Sequence, residues 1–380
     1  MKIVVLGVGL VGRVMVLDLA QEPSFSIRAV DEREEPLRNL PPVVETMRAD
    51  LRDPDDVAQV LHGVEFAVCA VPGFMGYALL KRVIEARIPA VDISFFPEDP
   101  FELNALALSS EVAAIVDCGV APGLCNILAA EAARQMDSVE AYRCFVGGLP
   151  RVRRWPFEYA AVFSPTDVLE EYTRPARIVE NSNVVIVPAL SGREQIDLPG
   201  IGTLEAFNTD GLRTMLKTFP ARNMVEKTLR YPGHADLMHV FREAGFLDKE
   251  PVQVGGVHVR PFDLAAELLR RHWAMRPGDE DLTVMRVEVD GLKDGRWMGY
   301  RYDLLDRFDP QTGTTAMART TGYTATIVVR MAAEGLFPRP GILPPENLVQ
   351  YDGFYRRLME GYRERGITLK GKVLDEPDGA

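Results

Sequence analysis

The feature that most constrains the fold is at the start of the chain. A β-branched run, Ile3 to Leu6, leads into Gly7, Gly9 and Gly12, and then into the apolar stretch Val11 to Gln21. Strand, G-x-G-x-x-G turn and helix in that order form the opening of a dinucleotide-binding βαβ unit. The first glycine permits the tight turn, the second lets a pyrophosphate approach the backbone, and the third lets helix and strand pack closely. The exposed N–H groups and the helix dipole then favour phosphate charge. A second strand, Ser26 to Val30, ends at Asp31, nineteen residues after Gly12. A carboxylate there accepts hydrogen bonds from ribose hydroxyls and repels a 2′-phosphate, which favours NAD over NADP. Arg33 works the other way, because a guanidinium can accommodate that phosphate.

The alternation continues for a third of the chain. Strands are expected at Glu45 to Ala49, Phe66 to Ala70, Ala90 to Ile93 and Ala113 to Val116, with helices at Pro54 to Leu61, Tyr77 to Ala86 and Phe101 to Ser110. Strands rich in Val, Ile and Ala without polar alternation suit a parallel sheet covered on both faces. Asp50, Val71, Asp92 and Asp117 fall at strand ends, on the edge where open α/β sheets bind ligands. Each aspartate has a second reading, as a turn or N-cap residue. Beyond Asn126 the pattern changes. After a helix from Gly123 to Gln135 come runs suited to a largely antiparallel sheet: Glu140 to Val146, Arg177 to Val179, Val184 to Pro188, Asn223 to Arg230, Thr283 to Asp290 and Arg296 to Leu305. A helix is expected at Thr320 to Gly335, and a loose tail from about Lys370.

Charge and composition exclude several classes. A net charge of −12 over 380 residues argues against sequence-independent nucleic-acid binding and polybasic membrane contact. No apolar run reaches the roughly 18 residues of a membrane span, and the first residues lack the basic region and cleavage site of a leader. Cys69, Cys118, Cys125 and Cys144 stand singly, as expected of buried free thiols rather than zinc ligands. A cytoplasmic protein with no bound metal is expected.

The segments DCGVAPGLCN (Asp117 to Asn126), GGLP (Gly147 to Pro150), LEAFNTDGLRT (Leu204 to Thr214), TLRYPGHA (Thr228 to Ala235) and TAMARTTGYT (Thr315 to Thr324) together resemble the saccharopine dehydrogenase family. Within it they are most similar to the bacterial lysine 6-dehydrogenase group. The resemblance implies an N-terminal Rossmann domain (1–122), an inserted α+β substrate and dimerisation domain (123–310), and C-terminal helices (311–380) returning to the Rossmann domain. It implies a homodimer or higher homo-oligomer, and hydride transfer from the carbon bearing an amine of an amino acid to the nicotinamide. Lysine oxidised at its ε-amine is the first substrate; a saccharopine- or opine-type reductase is the alternative. A non-catalytic NAD-binding sensor is the reading from another class.

By the same resemblance the cofactor roles fall on Gly7, Gly9, Leu10, Val11, Gly12, Asp31, Asp50, Val71, Asp92, Asp117, Gly119 and Val120. Substrate roles fall on Asn208, Thr209, Asp210, Arg213, Thr228 and Arg230. Saccharopine reductases carry an arginine in the stretch that here reads Asp210. Chemically, the reacting amine must lose its proton, for which a base tuned towards neutrality is needed. His234, in a Pro-Gly loop, is the candidate base; its other reading is a structural histidine bonded to backbone. Asp92 or Asp117 is the alternative holder of the amine. Arg213 and Arg230 suit a carboxylate, which a planar guanidinium binds with two parallel hydrogen bonds. The basic cluster Arg151, Arg153 and Arg154 beside Trp155 reads as a solvated loop or subunit contact, or as a substrate contact. Glu158 and Tyr159 follow it without an assigned role.

Overall fold

The computed structural model describes residues 1–162, 165–276 and 278–376. They form two compact units, and the chain passes between them repeatedly. The first holds Met1–Glu131, Lys217–Phe219 and Ala318–Thr368; the second holds Ala132–Leu216, Pro220–Met317 and the residues from Leu369 on. The helix Leu124–Ala133, expected to open the second domain, therefore falls mostly in the first unit.

The first unit is built on a seven-stranded, wholly parallel sheet. From one edge its order is Gly341–Leu343, Ala113–Ile115, Ala90–Asp92, Phe66–Cys69, Lys2–Leu6, Ser26–Asp31 and Glu45–Arg48. The central strands are buried on both faces, as their apolar runs require. The order reverses beside Lys2–Leu6, whose neighbours are the second and fourth strands of the sequence. A reversal of that kind opens a crevice at the carboxyl ends of the strands. The seventh strand and the helix Ala316–Ala333 come from the far end of the chain. They are tied back through Asp18, a buried carboxylate bonded to Arg330 and to Arg365. Those two guanidinium groups hold its pKa below the usual range against the opposing effect of burial.

The second unit carries a nine-stranded mixed sheet. Its main path runs Glu194–Leu198, Gly202–Asn208, Ala221–Arg230, Ser138–Pro150, Asp281–Lys293, Arg296–Arg307 and Leu369–Leu374, with Ala176–Glu180 and Asn183–Val187 attached beside Ala221–Arg230. Only the pairing of Ala221–Arg230 with Ser138–Pro150 is parallel. Three helices, Pro165–Thr173, His234–Glu243 and Pro261–Trp273, share an apolar core with Phe157, Tyr159 and Phe207. The last of them starts at Pro261 and buries Phe262, Ala265, Leu269 and Trp273, a 3-4-4 spacing that keeps one face inward. Arg270 and Arg271 in its final turn oppose the helix dipole.

Two expectations are corrected here. The tail is not loose through Leu374: Leu369–Leu374 is an edge strand antiparallel to Arg296–Arg307. Its Lys370 and Lys372 suit an exposed edge, and lysines there make a strand hard to recognise by hydrophobicity. Residues 377–380 lie outside the described residues. The helix expected from Thr320 begins four residues earlier, because its first N–H groups are capped from far away. Ala316 N and Met317 N donate to the two carboxylate oxygens of Asp281, at 2.7 and 3.0 Å.

Candidate active site

The cofactor residues predicted from sequence lie in the first unit, along the carboxyl edge of its sheet. The three glycines do different work. A Cβ on Gly12 would sit 2.0 Å from the carbonyl oxygen of Gly7, and one on Gly7 would sit 2.4 Å from that of Ala70. Around Gly9 there is nothing within 4 Å of the corresponding position. Gly7 and Gly12 thus close the strand–helix packing, while Gly9 leaves open the space that a pyrophosphate requires. Helix Leu10–Leu19 begins at Gly9 with no side-chain cap and no acidic residue in its first turn. Its free N–H groups and positive dipole end are therefore available to an anion. These features fit a nicotinamide dinucleotide. Val71 packs against the loop, 3.3 Å from that Gly7 position.

Asp31 is buried, and both of its oxygens are bonded within the protein. Oδ2 accepts from Val8 N at 3.0 Å, and Oδ1 accepts from Arg33 N and Nε at 2.9 and 3.3 Å. Beside it lies a cleft of about 540 Å³ lined by Glu32, Arg33, Arg48, Ala49, Asp50, Arg52 and Asp56. Asp50 is held there by Arg52 in a two-point ion pair, at 2.8 and 2.9 Å, which lowers its pKa. Arg48 donates from Nε to the carbonyl of Glu32.

Asp92 ends one strand, Asp117 lies two residues beyond the end of its neighbour Ala113–Ile115, and both are buried. Asp92 Oδ1 accepts from Ser94 N at 2.5 Å, and the backbone at Asp117 turns through a positive φ of 52°. Burial, followed by the charges of Asp117 and Asp92, pushes the thiol of Cys118 well up. Gly119 and Val120 follow in a loop closed by the bonds Leu124 N to Gly119 O and Cys125 N to Val120 O. Asn126 braces it, accepting from Gly123 N and donating to Glu346 at 2.9 Å.

The predicted substrate residues lie in the second unit. Thr209 and Thr228 meet at 2.9 Å, and both are buried. Asp210 is gripped by Arg177 through Nε and Nη2, each at 2.8 Å. Arg213 is buried in a positive-φ turn (φ 50°), and Asn208 Nδ2 bonds Ser191 Oγ at 3.2 Å. Arg230, 2% exposed, donates to Glu171 at 2.6 Å, to Leu229 O at 2.9 Å and to Tyr172 OH at 3.2 Å, with the ring of Tyr159 4.6 Å from its guanidinium carbon.

His234 is corrected as a general base. It is not in a loop but opens helix His234–Glu243, fully buried. Nδ1 lies 2.7 Å from the carbonyl of Phe157, so Nδ1 carries the proton, and Nε2 accepts from Tyr172 OH at 2.9 Å. Burial first, and Arg230 second, depress its pKa to about 3. An imidazole with both nitrogens occupied and no water access positions Tyr172 rather than taking a proton from an amine. The basic cluster is likewise committed: Arg151 pairs with Glu280, Arg153 with Glu158 and Arg154 with Asp279, while Trp155 is exposed.

Sequence reasoning missed Glu226. It is buried, accepts from Thr209 Oγ1 at 2.5 Å, and has no ion-pair partner among the described residues. Burial, reinforced by the charges of Glu171 and Asp210, pushes its carboxyl up to about 8, against the lowering effect of Thr209. The signal was present in the strand's two-residue period, which puts Glu226, Thr228 and Arg230 on one face.

Comparison with known proteins divides the chain near residue 118, not along the two units, since the second matched domain includes residues of both. Residues 3–117 match the saccharopine dehydrogenase NADP binding domain, and residues 119–367 match the saccharopine dehydrogenase C-terminal domain. Alpha-aminoadipic semialdehyde synthase of Arabidopsis thaliana is 22% identical over 80% of this chain. The chain spans only about a third of that protein's length (36%). Carboxynorspermidine synthase of Vibrio cholerae is 22% identical, covering 80% of this chain and 78% of its own. Saccharopine dehydrogenase [NADP(+), L-glutamate-forming] of Schizosaccharomyces pombe is 18% identical over 86% and 88%. The solved structure of apo saccharopine dehydrogenase (L-Glu forming) from Saccharomyces cerevisiae superposes with a TM-score of 0.79 at 16% identity, over 98% of this chain and 99% of that one. At that identity the likeness is one of fold.

Proposed function

Because the chain belongs to the saccharopine dehydrogenase family, we propose that it is an NAD(P)-dependent oxidoreductase that oxidises the carbon bearing an amine in an amino acid, with the ε-amine of lysine as the first substrate. The bound dinucleotide supplies the hydride acceptor. The chain's own residues hold it: the loop N–H groups around Gly9 take the pyrophosphate, and Asp31 keeps that loop in place through Val8 N.

One observation favours lysine over saccharopine. Of the predicted substrate residues, Arg230 already faces a carboxylate of the protein, Glu171, and Asp210 is taken by Arg177, while Glu226 has no cation among the described residues. A product joining two amino acids brings several carboxylates and would need spare guanidinium groups. Lysine brings one carboxylate and two amines, which suits such a lining better. The test follows absorbance of the reduced cofactor while the protein is offered lysine, other diamines and amino acids, and keto-acid pairs in the reverse direction. Lysine-dependent reduction is expected. Turnover only in the reductive direction, with lysine and a keto acid, would establish the saccharopine-type reading instead.

The cleft beside Asp31 favours NADP, against the preference drawn from Asp31 alone. The Asp31 carboxylate is committed to Val8 and Arg33, while the terminal amines of Arg33 and Arg48 have no hydrogen-bond partner among the described residues. Guanidinium–phosphate pairs are among the strong charge-assisted bonds. Arg48→Ala is therefore expected to weaken NADPH binding by about 1.5–3 kcal/mol, tenfold or more, and to leave NADH binding unchanged. Fluorescence titration of both cofactors measures this; equal losses for the two would return the preference to NAD.

A further inference from the structure

The nine-stranded sheet has edges of two kinds. Glu194–Leu198 carries Glu194 and Asp197, and Leu369–Leu374 carries Lys370 and Lys372. Charges of that sort keep an open strand from pairing with another chain. Asn183–Val187 is also an edge, paired with Ala176–Glu180 and with no other strand among the described residues. Its sequence is NVVIV, and Val184 and Ile186 are 53% and 70% exposed. No charged residue occurs from Asn181 to Gly192. An uncharged, β-branched edge left bare is a template for a further strand.

The turn before this strand fixes which of its backbone groups are open. Asn181 and Ser182 both have positive φ, 48° and 66°, the signature of a two-residue type I′ hairpin. Glu180 and Asn183 close that hairpin as a hydrogen-bonded pair. Asn183, Val185 and Val187 therefore point their N–H and C=O groups at Ala176–Glu180. Val184 and Ile186 point theirs outwards. The same alternation turns Val179 and Arg177 away from this strand, where Val179 pairs with Met224 and Arg177 N donates to Asp210 at 3.1 Å. The open stretch has definite ends. The next outward N–H before Val184 is that of Ser182, which donates to Arg222 O at 2.7 Å. The next outward position after Ile186 is Pro188, which has no N–H.

We propose that Asn183–Val187 pairs antiparallel with the same strand of a second copy of this chain, across a two-fold axis at Val185. Val184 then lies opposite the partner's Ile186, and Ile186 opposite the partner's Val184, each pair exchanging both of its backbone bonds. Every open N–H of the strand finds an acceptor. Pairing stops where the committed Ser182 meets the partner's Pro188, so the strand ends where its own reversed image ends. That match selects a second copy over an unrelated peptide. Two chains of net charge −12 meet there without opposing charges, and β-branched side chains face one another on both sides of the new sheet. Because both copies use the same edge, the pairing closes as a dimer and does not propagate. One short strand buries less than the roughly 1,200 Å² of a standard interface, so a dissociation constant on the order of micromolar is expected.

Sedimentation velocity over a range of protein concentrations reads the association, and cysteine substitutions read its register. The natural protein should pass reversibly from monomer to dimer as its concentration rises. Ile186→Pro removes an outward N–H and no bond to Ala176–Glu180, and Ile186→Lys sets a charge against the partner's Val184. Both variants should stay monomeric, with an unchanged thermal midpoint to show that they are folded. The cysteine variants test the pairing without relying on either. Residues facing each other in a non-hydrogen-bonded pair lie about 4.5 Å apart at Cα, within disulfide reach. Val185→Cys should therefore give a disulfide-linked dimer with oxidised glutathione, whereas Val184→Cys, opposite the partner's Ile186, should not. Cys69, Cys118, Cys125 and Cys144 are buried and add no background. A monomer at every concentration, association that survives both Ile186 substitutions, or crosslinking of Val184→Cys as fast as Val185→Cys overturns the proposal.

Discussion

At the scale of single residues, two displaced side chains of the second unit pull stability in opposite directions with pH. His234 has a folded pKa of about 3 against an ordinary 6.5, so the unfolded chain takes up a proton that the folded one refuses as pH falls from 6.5 to 3. Its contribution is present above 6.5 and lost on acidification. Glu226 has a folded pKa of about 8 against 4.5, so the folded chain keeps a proton that the unfolded one releases as pH rises from 4.5 to 8. Its contribution is present below 4.5 and lost on alkalinisation. Between 4.5 and 6.5 the two slopes cancel. Denaturant unfolding across pH should therefore show a plateau there, with a fall on either side of at most a few kcal/mol, at about 1.4 kcal/mol per pH unit. Glu226→Gln should flatten the alkaline limb and His234→Gln the acid one. Limbs that survive both substitutions would assign the titration to other groups.

At the scale of elements, the glycine loop separates packing from binding. Gly12→Ala puts a methyl group 2.0 Å from a backbone oxygen that cannot move without opening the strand–helix junction, so this variant should unfold or lose several kcal/mol. Gly9→Ala meets nothing in the protein, and its φ of −71° suits alanine. It should keep its thermal midpoint and lose cofactor affinity by tenfold or more, because the methyl group occupies the pyrophosphate's approach. Equal damage from both variants, read by thermal unfolding and NADPH titration, would contradict this division. The first strand, turn and helix were legible because their pattern is local: apolar run, three glycines, apolar run. The helices Pro165–Thr173 and Phe354–Glu364 are not evident from sequence, the first being near neutral in hydropathy and the second strongly charged. The sequence places His234 itself in a loop because Pro232 and Gly233 precede it, whereas it is the first residue of helix His234–Glu243. Gly233 has a φ of 98° and serves as its N-cap without a side-chain bond, a start that common capping patterns do not reveal.

At the scale of the whole molecule, the first unit is completed by residues from the other end of the chain. A fragment of residues 1–131 lacks the strand Gly341–Leu343 and the helix Ala316–Ala333, whose Gly322 packs on Met15, and it leaves Asp18 without Arg330 and Arg365. It is expected to remain loosely structured by circular dichroism and to gain cooperative unfolding when a peptide of residues 318–368 is added. Independent cooperative folding of 1–131 would show that the early strands suffice. By itself the sequence determined the nucleotide-binding start, the strand ends carrying Asp31, Asp92 and Asp117, and the change to a largely antiparallel sheet, because these depend on residue spacing along continuous segments. Only the tertiary structure decided what those residues touch. It gave both oxygens of Asp31 to Val8 and Arg33 and both nitrogens of His234 to Phe157 and Tyr172, and it left Glu226 without a cation among the described residues. Partners so far apart in sequence leave no periodic trace, and burial and charge around a side chain exist only once the chain has folded.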